Sequence, residues 1–177
     1  MPSIHVCSLA RLSATVAETG ASHIATLINQ ATAVDRPASI AIERHLFLGM
    51  SDITAPLDGH ILPEAEHVER LIAFMRDWGL ERRNPIVVHC FAGISRSTAA
   101  AFIGACILAP EMSEEGWARQ IRDRSPTATP NARIVELADR ILAREGRMVR
   151  AIEAIGRGVD VETWDGVPFR LDLPPVR

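Results

Sequence analysis

Residues 89–98, His89-Cys90-Phe91-Ala92-Gly93-Ile94-Ser95-Arg96-Ser97-Thr98, crowd a thiol, a guanidinium, a glycine and several hydroxyls into one short stretch. A cysteine at the mouth of a turn into a helix is expected to be held as its thiolate, since helix N-termini and nearby cations favour the charged form. Gly93 allows a conformation or a close approach denied to other residues, so Phe91, Ala92, Gly93, Ile94, Ser95 and Arg96 can turn successive N–H groups toward one spot. Such a nest at a helix N-terminus suits an anion. Arg96 adds a planar fork that holds two oxygens at once and strengthens as charge shifts toward the transition state, which lysine does not do equally. Ser97 at the helix start can cap the turn and donate to the sulfur when the thiolate must leave again, and Thr98 can share that task. The chemistry these residues suit is binding a phosphate monoester and attacking it.

A strand must deliver the cysteine and a helix must follow it. Residues 85–88 (PIVV) form a short apolar run that reads as a buried strand, and residues 97–109 (STAAAFIGACILA) read as a buried helix. Upstream, residues 4–9 (IHVCSL) suit a strand, residues 13–18 (SATVAE) a short helix stopped by Gly20, and residues 23–28 (HIATLI) a second strand. Strand, helix, strand predicts a parallel α/β sheet. A third strand is expected at 43–48 (ERHLFL) after a surface connection over 29–38. Residues 49–62 (GMSDITAPLDGHIL) carry the Gly, Pro and Asp-Gly marks of an irregular loop. Pro63 then opens a helix to about Trp78 with Val68, Leu71, Ile72, Met75 and Trp78 on one face. In parallel sheets ligands bind beyond the carboxyl ends of strands, so the loop after Leu48 and the turn after His89 should share a rim.

Beyond the cysteine, Ser113 is read as the cap of a helix to about Arg124. Pro130 and Asn131 begin another with Ile134, Leu137, Ala138, Ile141 and Leu142 on its apolar face, ended by Gly146, and a last short helix follows at 148–155. Residues 156–177 shift to Gly, Pro and charge and read as an extended tail, with Trp164 and Phe169 as anchors to the body. The domain division expected is therefore 1–155 for the body and 156–177 for a tail packed on it or trailing from it.

At 177 residues, with 47% hydrophobic and 23% charged residues, the chain reads as one globular domain with a sizeable core. A net charge of −3 argues against a general nucleic-acid binder. Every basic residue is arginine and tyrosine is absent, which we read as compositional bias. Cys7, Cys90 and Cys106 are an odd, irregularly spaced set, so a disulfide framework is not expected and a reducing, cytoplasmic setting is. Cys7 and Cys106 read as core packing, with a resolving thiol the alternative for Cys106. No metal-ligand cluster, signal peptide or membrane span is expected. His5, His23, His45, His60 and His67 are scattered and carry no pattern.

His89, Cys90, Gly93, Arg96 and Ser97 match the signature His-Cys-X-X-Gly-X-X-Arg-Ser/Thr, and the chain resembles the cysteine-dependent protein tyrosine phosphatases, in particular the dual-specificity branch. The segment Arg124-Ser125-Pro126-Thr127-Ala128-Thr129-Pro130-Asn131 resembles the Arg-Pro and Pro-Asn segment that packs beneath the active site in that branch, with Ser125 as a departure. The resemblance implies an α/β fold with a single domain and a central, mostly parallel sheet flanked by helices. It also implies a supporting role for His89, which holds the loop rather than moving protons, and for Asn131.

The resemblance further implies an aspartate on a loop before the cysteine as general acid. Asp52 and Asp58 both qualify. Asp52 directly follows the third strand, where a rim residue should lie, whereas Asp58 belongs to an Asp-Gly turn. The implied mechanism is attack of the Cys90 thiolate, with Asp52 protonating the leaving oxygen and water releasing phosphate from a cysteinyl-phosphate, with no metal or organic cofactor. A phosphorylated protein is the expected partner. Phosphoinositides, inositol phosphates or RNA 5′ phosphates are alternative substrates, and a non-catalytic phosphate-binding module is the alternative to an enzyme. Oligomeric state is not readable from the sequence.

Overall fold

In a computed structural model, residues 2–81, 83–161 and 165–174 are described. Five strands and six α-helices run in the order β1 (Ser3–Ser8), α1 (Leu12–Thr19), β2 (His23–Ile28), β3 (His45–Gly49), α2 (Ala65–Glu81), β4 (Ile86–Cys90), α3 (Arg96–Leu108), α4 (Glu114–Arg124), α5 (Ala132–Ile141), α6 (Arg147–Ile155) and β5 (Phe169–Asp172). They form one sheet in the order β3-β2-β4-β1-β5. The first four strands are mutually parallel, with β4 central between β2 and β1, and β5 is antiparallel to β1. The chain is thus a single-domain α/β fold with a mostly parallel sheet, as expected.

Alternation along the strands sends side chains to two unequal layers. Ile4, Val6, Ala25, Leu27, Ile86 and Val88 face the larger core, which α2 to α6 complete. Cys7, Ile24 and Val87 face a smaller one with Leu12 and Val16 of α1. The apolar face read for α2 is buried at all five positions, although the helix begins two residues after Pro63. Ala99, Ala100, Ala101 and Ala105 let α3 lie close against the sheet, buried on all sides as its apolar sequence demands.

Four local expectations are corrected. Glu43 and Arg44 belong to a 3-10 turn (Ile42–Arg44) rather than a strand, because β2 offers its first partner to β3 only at Ile24, opposite His45. Gly146 does not end α5, which stops at Ile141. The buried Asp139 carboxylate accepts from Gly146 N at 2.6 Å and Met148 N at 2.8 Å, so it caps α6 and turns the chain there, with Gly146 at φ +80°. On α5, Ile134 and Ala138 are buried and Leu137 and Leu142 pack against the core as read, but Val135 is buried too and Ile141 is exposed, which narrows the apolar stripe read from the sequence and shifts it toward Val135. Residues 169–172 are an edge strand of the sheet, with Phe169, Leu171 and Leu173 in the main core. Phe169 anchors as anticipated, whereas Trp164 lies outside the described residues.

Among the described residues no helix is long and apolar enough to cross a membrane.

Candidate active site

β4 ends at Cys90, the next five residues turn, and α3 begins at Arg96. Gly93 makes the turn possible on two counts. Its φ is +74°, and a Cβ there would stand 2.8 Å from the Cys7 carbonyl carbon and 2.9 Å from Ser8 N, inside any real contact. In a trans peptide the C=O and the following N–H point in opposite directions, so a carbonyl held from outside the turn aims the next amide into it. Leu9 N donates to Phe91 O at 3.0 Å, Thr129 N to Ile94 O at 2.9 Å and Asn131 N to Ser95 O at 3.3 Å. These bonds direct the amides of Ala92, Ser95 and Arg96 inward. Gly93 N donates to Cys90 Sγ at 3.2 Å, and Ser97 Oγ lies 3.2 Å from the same sulfur. The result is a ring of donors around a buried thiol at a helix N-terminus.

Arg96 is buried beside it. Its Nη1 donates to Asn29 Oδ1 at 2.8 Å and to Met50 O at 2.7 Å, which fixes one edge of the guanidinium to the loops after β2 and β3. Its buried Nε has no partner among the described residues. A buried N–H of a cation is costly to leave unpaired, and an anion in the turn would satisfy it.

Asp52 sits on the same rim, as the strand-end rule predicts. Its Oδ1 accepts from Ser95 Oγ at 2.7 Å and from Asn131 Nδ2 at 2.8 Å, so the loop after β3 is tied to both the cysteine loop and the N-cap of α5. Asn131 also caps α5 through Ile134 N at 3.1 Å. Asp58 is exposed in a turn closed by His60 N to Leu57 O at 3.1 Å, with no hydrogen bond to the cysteine loop among the described residues. Thr98 does not reach the sulfur as expected. Its hydroxyl donates back to Ile94 O at 2.6 Å and Ser95 O at 2.9 Å, because one helical turn carries it under the loop's own carbonyls.

His89 is fully buried, and that burial pushes its pKa down to about 4 against the opposing hydrogen bond to Cys90 O. The ring is therefore neutral near neutral pH, with one N–H to place. Donation from Nδ1 to Cys90 O, at 3.3 Å, leaves Nε2 to accept from Thr26 Oγ1 at 2.7 Å. Thr26 Oγ1 then accepts from His45 Nε2 at 2.8 Å. This chain across β3, β2 and β4 holds the carbonyl of the cysteine itself.

Asn29, Thr26 and His45 were not identified from the sequence as parts of the site. Asn29 directly follows β2, and the rule that placed Asp52 after β3 would have found it. Thr26 has only the weak signal of a hydroxyl inside the apolar run HIATLI. The other thiols are quiet: burial raises Cys7 to about 11 and Cys106 to about 12. Cys7 faces the α1 layer, away from the core side that Val88 faces. Among the described residues no three His, Cys, Asp or Glu side chains converge to hold a metal ion.

A cavity of about 370 Å³ opens over the site, lined by Asn29, Ser51, Asp52, Ile53, His60, Phe91 and Arg96 among others. Arg96 is the one arginine among its described lining residues. Half-exposed Phe91 and Ile53 give it an apolar wall.

Residues 56–123 match the family model described as protein-tyrosine phosphatase. No curated protein matches by sequence. The fold is similar to solved structures at low identity. The structure of DUSP15 is 18% identical, with 87% of this chain and 92% of that one covered at a TM-score of 0.63. The human tyrosine phosphatase-like serine/threonine/tyrosine-interacting protein is 19% identical, with 82% and 94% covered and a TM-score of 0.63. PTPMT1 in complex with PI(5)P is 17% identical, with 77% and 86% covered and a TM-score of 0.54.

Proposed function

We propose that this chain, which belongs to the cysteine-dependent protein tyrosine phosphatase superfamily and has a dual-specificity-like fold, hydrolyses phosphate monoesters on proteins through a cysteinyl-phosphate. One observation carries the reading: Cys90 Sγ lies within hydrogen-bond reach of Gly93 N and Ser97 Oγ, in a turn whose carbonyls are held outward and beside an Arg96 Nε that has no partner among the described residues. In the first step the Cys90 thiolate attacks phosphorus in line while the loop amides and Arg96 hold the three remaining oxygens. The P–O bond to the alcohol or phenol breaks, and Asp52 gives that oxygen its proton. In the second step Asp52 takes a proton from water, the water oxygen bonds to phosphorus as the S–P bond breaks, inorganic phosphate is released, and Ser97 donates to the departing thiolate.

Among substrates, phosphotyrosine with or without phosphoserine and phosphothreonine is favoured over phosphoinositides. A polyphosphorylated headgroup gains from added cations around the site, and among the described residues Arg96 is the one arginine lining the cavity, beside the apolar Phe91 and Ile53. The PI(5)P complex of PTPMT1 makes a phosphoinositide the competitor to include. Retention of Cys90, Arg96 and Ser97 together supports an enzyme rather than a binding module. Three free cysteines fit a reducing cytoplasmic setting.

A panel of phosphorylated peptides, a phosphoinositide and a 5′-phosphorylated RNA, assayed with wild type and Cys90→Ser, tests the proposal. Turnover is expected on phosphotyrosine peptides and lost in the variant, which still binds them. Higher kcat/KM on the phosphoinositide would reverse the ranking, and no turnover on any substrate would leave a binding module.

A further inference from the structure

We infer that the segment running into β5, with Gly166 at its contact point, is a positioning element for the phosphate-binding turn; the inference rests on the phosphatase reading above. Gly166 N donates to Ala92 O at 2.7 Å. Ala92 C=O and Gly93 N–H belong to one peptide plane, and Gly93 N is the amide that donates to Cys90 Sγ. One hydrogen bond from the C-terminal segment therefore fixes the tilt of the peptide that faces the nucleophile. Leu9, Thr129 and Asn131 do the same for the neighbouring planes, but they come from loops next to β1 and α5. Gly166 arrives from the far end of the chain.

The contact has no slack. A Cβ on Gly166 would stand 2.7 Å from Ile94 Cγ1 and 3.1 Å from the carbonyl oxygens of Ala92 and Gly93. Any larger residue must displace the Ile94 side chain of the turn, back the segment off or tilt the two peptides it touches. The segment is itself held on both sides. Val167 N donates to Thr127 Oγ1 at 3.1 Å and Val167 O accepts from Ser125 Oγ at 3.0 Å, both from buried hydroxyls in the stretch beneath the site. Beyond it Phe169 to Asp172 pair with β1, the strand against which Gly93 is packed. The usual expectation for a terminal segment is that it frays. Here the buried hydroxyls and the sheet pairing make it rigid enough to set the geometry of an oxyanion site, where small displacements of a donor weaken catalysis strongly.

The test compares Gly166→Ala with Gly79→Ala in the full chain, by calorimetric binding of inorganic phosphate and by kcat and KM on an aryl phosphate. Gly79 is the control, since a Cβ there would crowd the Leu108 side chain, at the end of α3 opposite the cysteine loop. Gly166→Ala should weaken phosphate binding and lower kcat by roughly tenfold or more, the scale of one charge-assisted hydrogen bond. Gly79→Ala should shift the thermal midpoint while leaving phosphate binding within about twofold of wild type, the spread of a site left intact. Equal phosphate affinity in Gly166→Ala and wild type overturns the inference, as does an equal loss in both variants. Should Gly166→Ala not fold, Ser125→Ala, which frees Val167 O without adding bulk, must weaken phosphate binding measurably or the inference falls. A wild type that binds no inorganic phosphate would instead sink the phosphatase reading, and this inference with it.

Discussion

At the residue scale the two carboxylates separate cleanly. Asp52 is bound to Ser95 and Asn131 at the mouth of the cysteine turn, while Asp58 sits in an exposed turn away from it. A general acid matters most when the leaving oxygen is basic. Asp52→Ala should therefore slow an alkyl phosphate or phosphotyrosine substrate by on the order of 10² to 10⁴ and an activated aryl phosphate much less. Asp58→Ala should change both little and equally. Steady-state rates on the two substrate types decide it, and a leaving-group-dependent loss in Asp58→Ala alone would move the acid to the later half of the loop. Cysteine chemistry gives a second prediction. Burial holds Cys7 and Cys106 as thiols, so iodoacetamide at neutral pH should label Cys90 first and inorganic phosphate should slow that labelling. Peptide mapping showing Cys7 or Cys106 labelled before Cys90 would contradict the assignment. That Cys90, Arg96 and Asp52 meet at one rim was legible, because the turn's residue types and spacing and the strand-end rule place them there. Thr26 and His45 were not, because they act by meeting across strands, and only the register of β2, β3 and β4 brings them together; Asn29 was missed although the strand-end rule that placed Asp52 reaches it.

At the scale of elements, β4 is held to β2 by a buried polar chain, and that chain responds to pH. Unfolded His89 takes a proton near its ordinary value of 6.5, whereas folded His89 resists until about 4. The unfolded chain thus binds more protons between these values, so the stability is fully present above pH 6.5 and is lost as pH falls toward 4. The shift corresponds to roughly 3 kcal/mol. Burial moves His5, His23 and His45 the same way. Urea denaturation from pH 7 to pH 4 should show this decline, and a His89→Gln variant, which cannot titrate, should show a shallower one. An unchanged slope would mean His89 is not buried neutral. A further element prediction concerns β5. Leu171 is fully buried in the main core, so Leu171→Ala should cost about 2–5 kcal/mol by chemical denaturation, against little for a trailing tail. Residues 169–172 were read as tail because four residues, FRLD, are too short for a period to show. Their pairing with β1 lies far away in sequence. By contrast α2 was legible at every buried position, since seventeen residues display their 3.6-residue period fully.

At the scale of the whole molecule, the parallel strands β2, β3 and β4 end at one rim, and the groups the proposed chemistry calls on are hung there: Asn29 after β2, Met50 and Asp52 after β3, and Cys90 at the end of β4. The remaining elements serve that rim from behind. α3 supplies Arg96 and Ser97 and, through its N-terminus, a positive end for the phosphate. α5 is capped by Asn131, which also holds the Asp52 carboxylate. The central claim is that Cys90 carries the phosphoryl group between substrate and water. Acid quenching of Asp52→Ala during turnover of an activated aryl phosphate, followed by proteolysis and mass spectrometry, tests it directly, because loss of the base for water should let the intermediate accumulate. One phosphoryl group on the peptide containing Cys90, absent from a Cys90→Ser sample, is the result predicted. Turnover by Cys90→Ser, or a phosphoryl group found on any other residue, would contradict it.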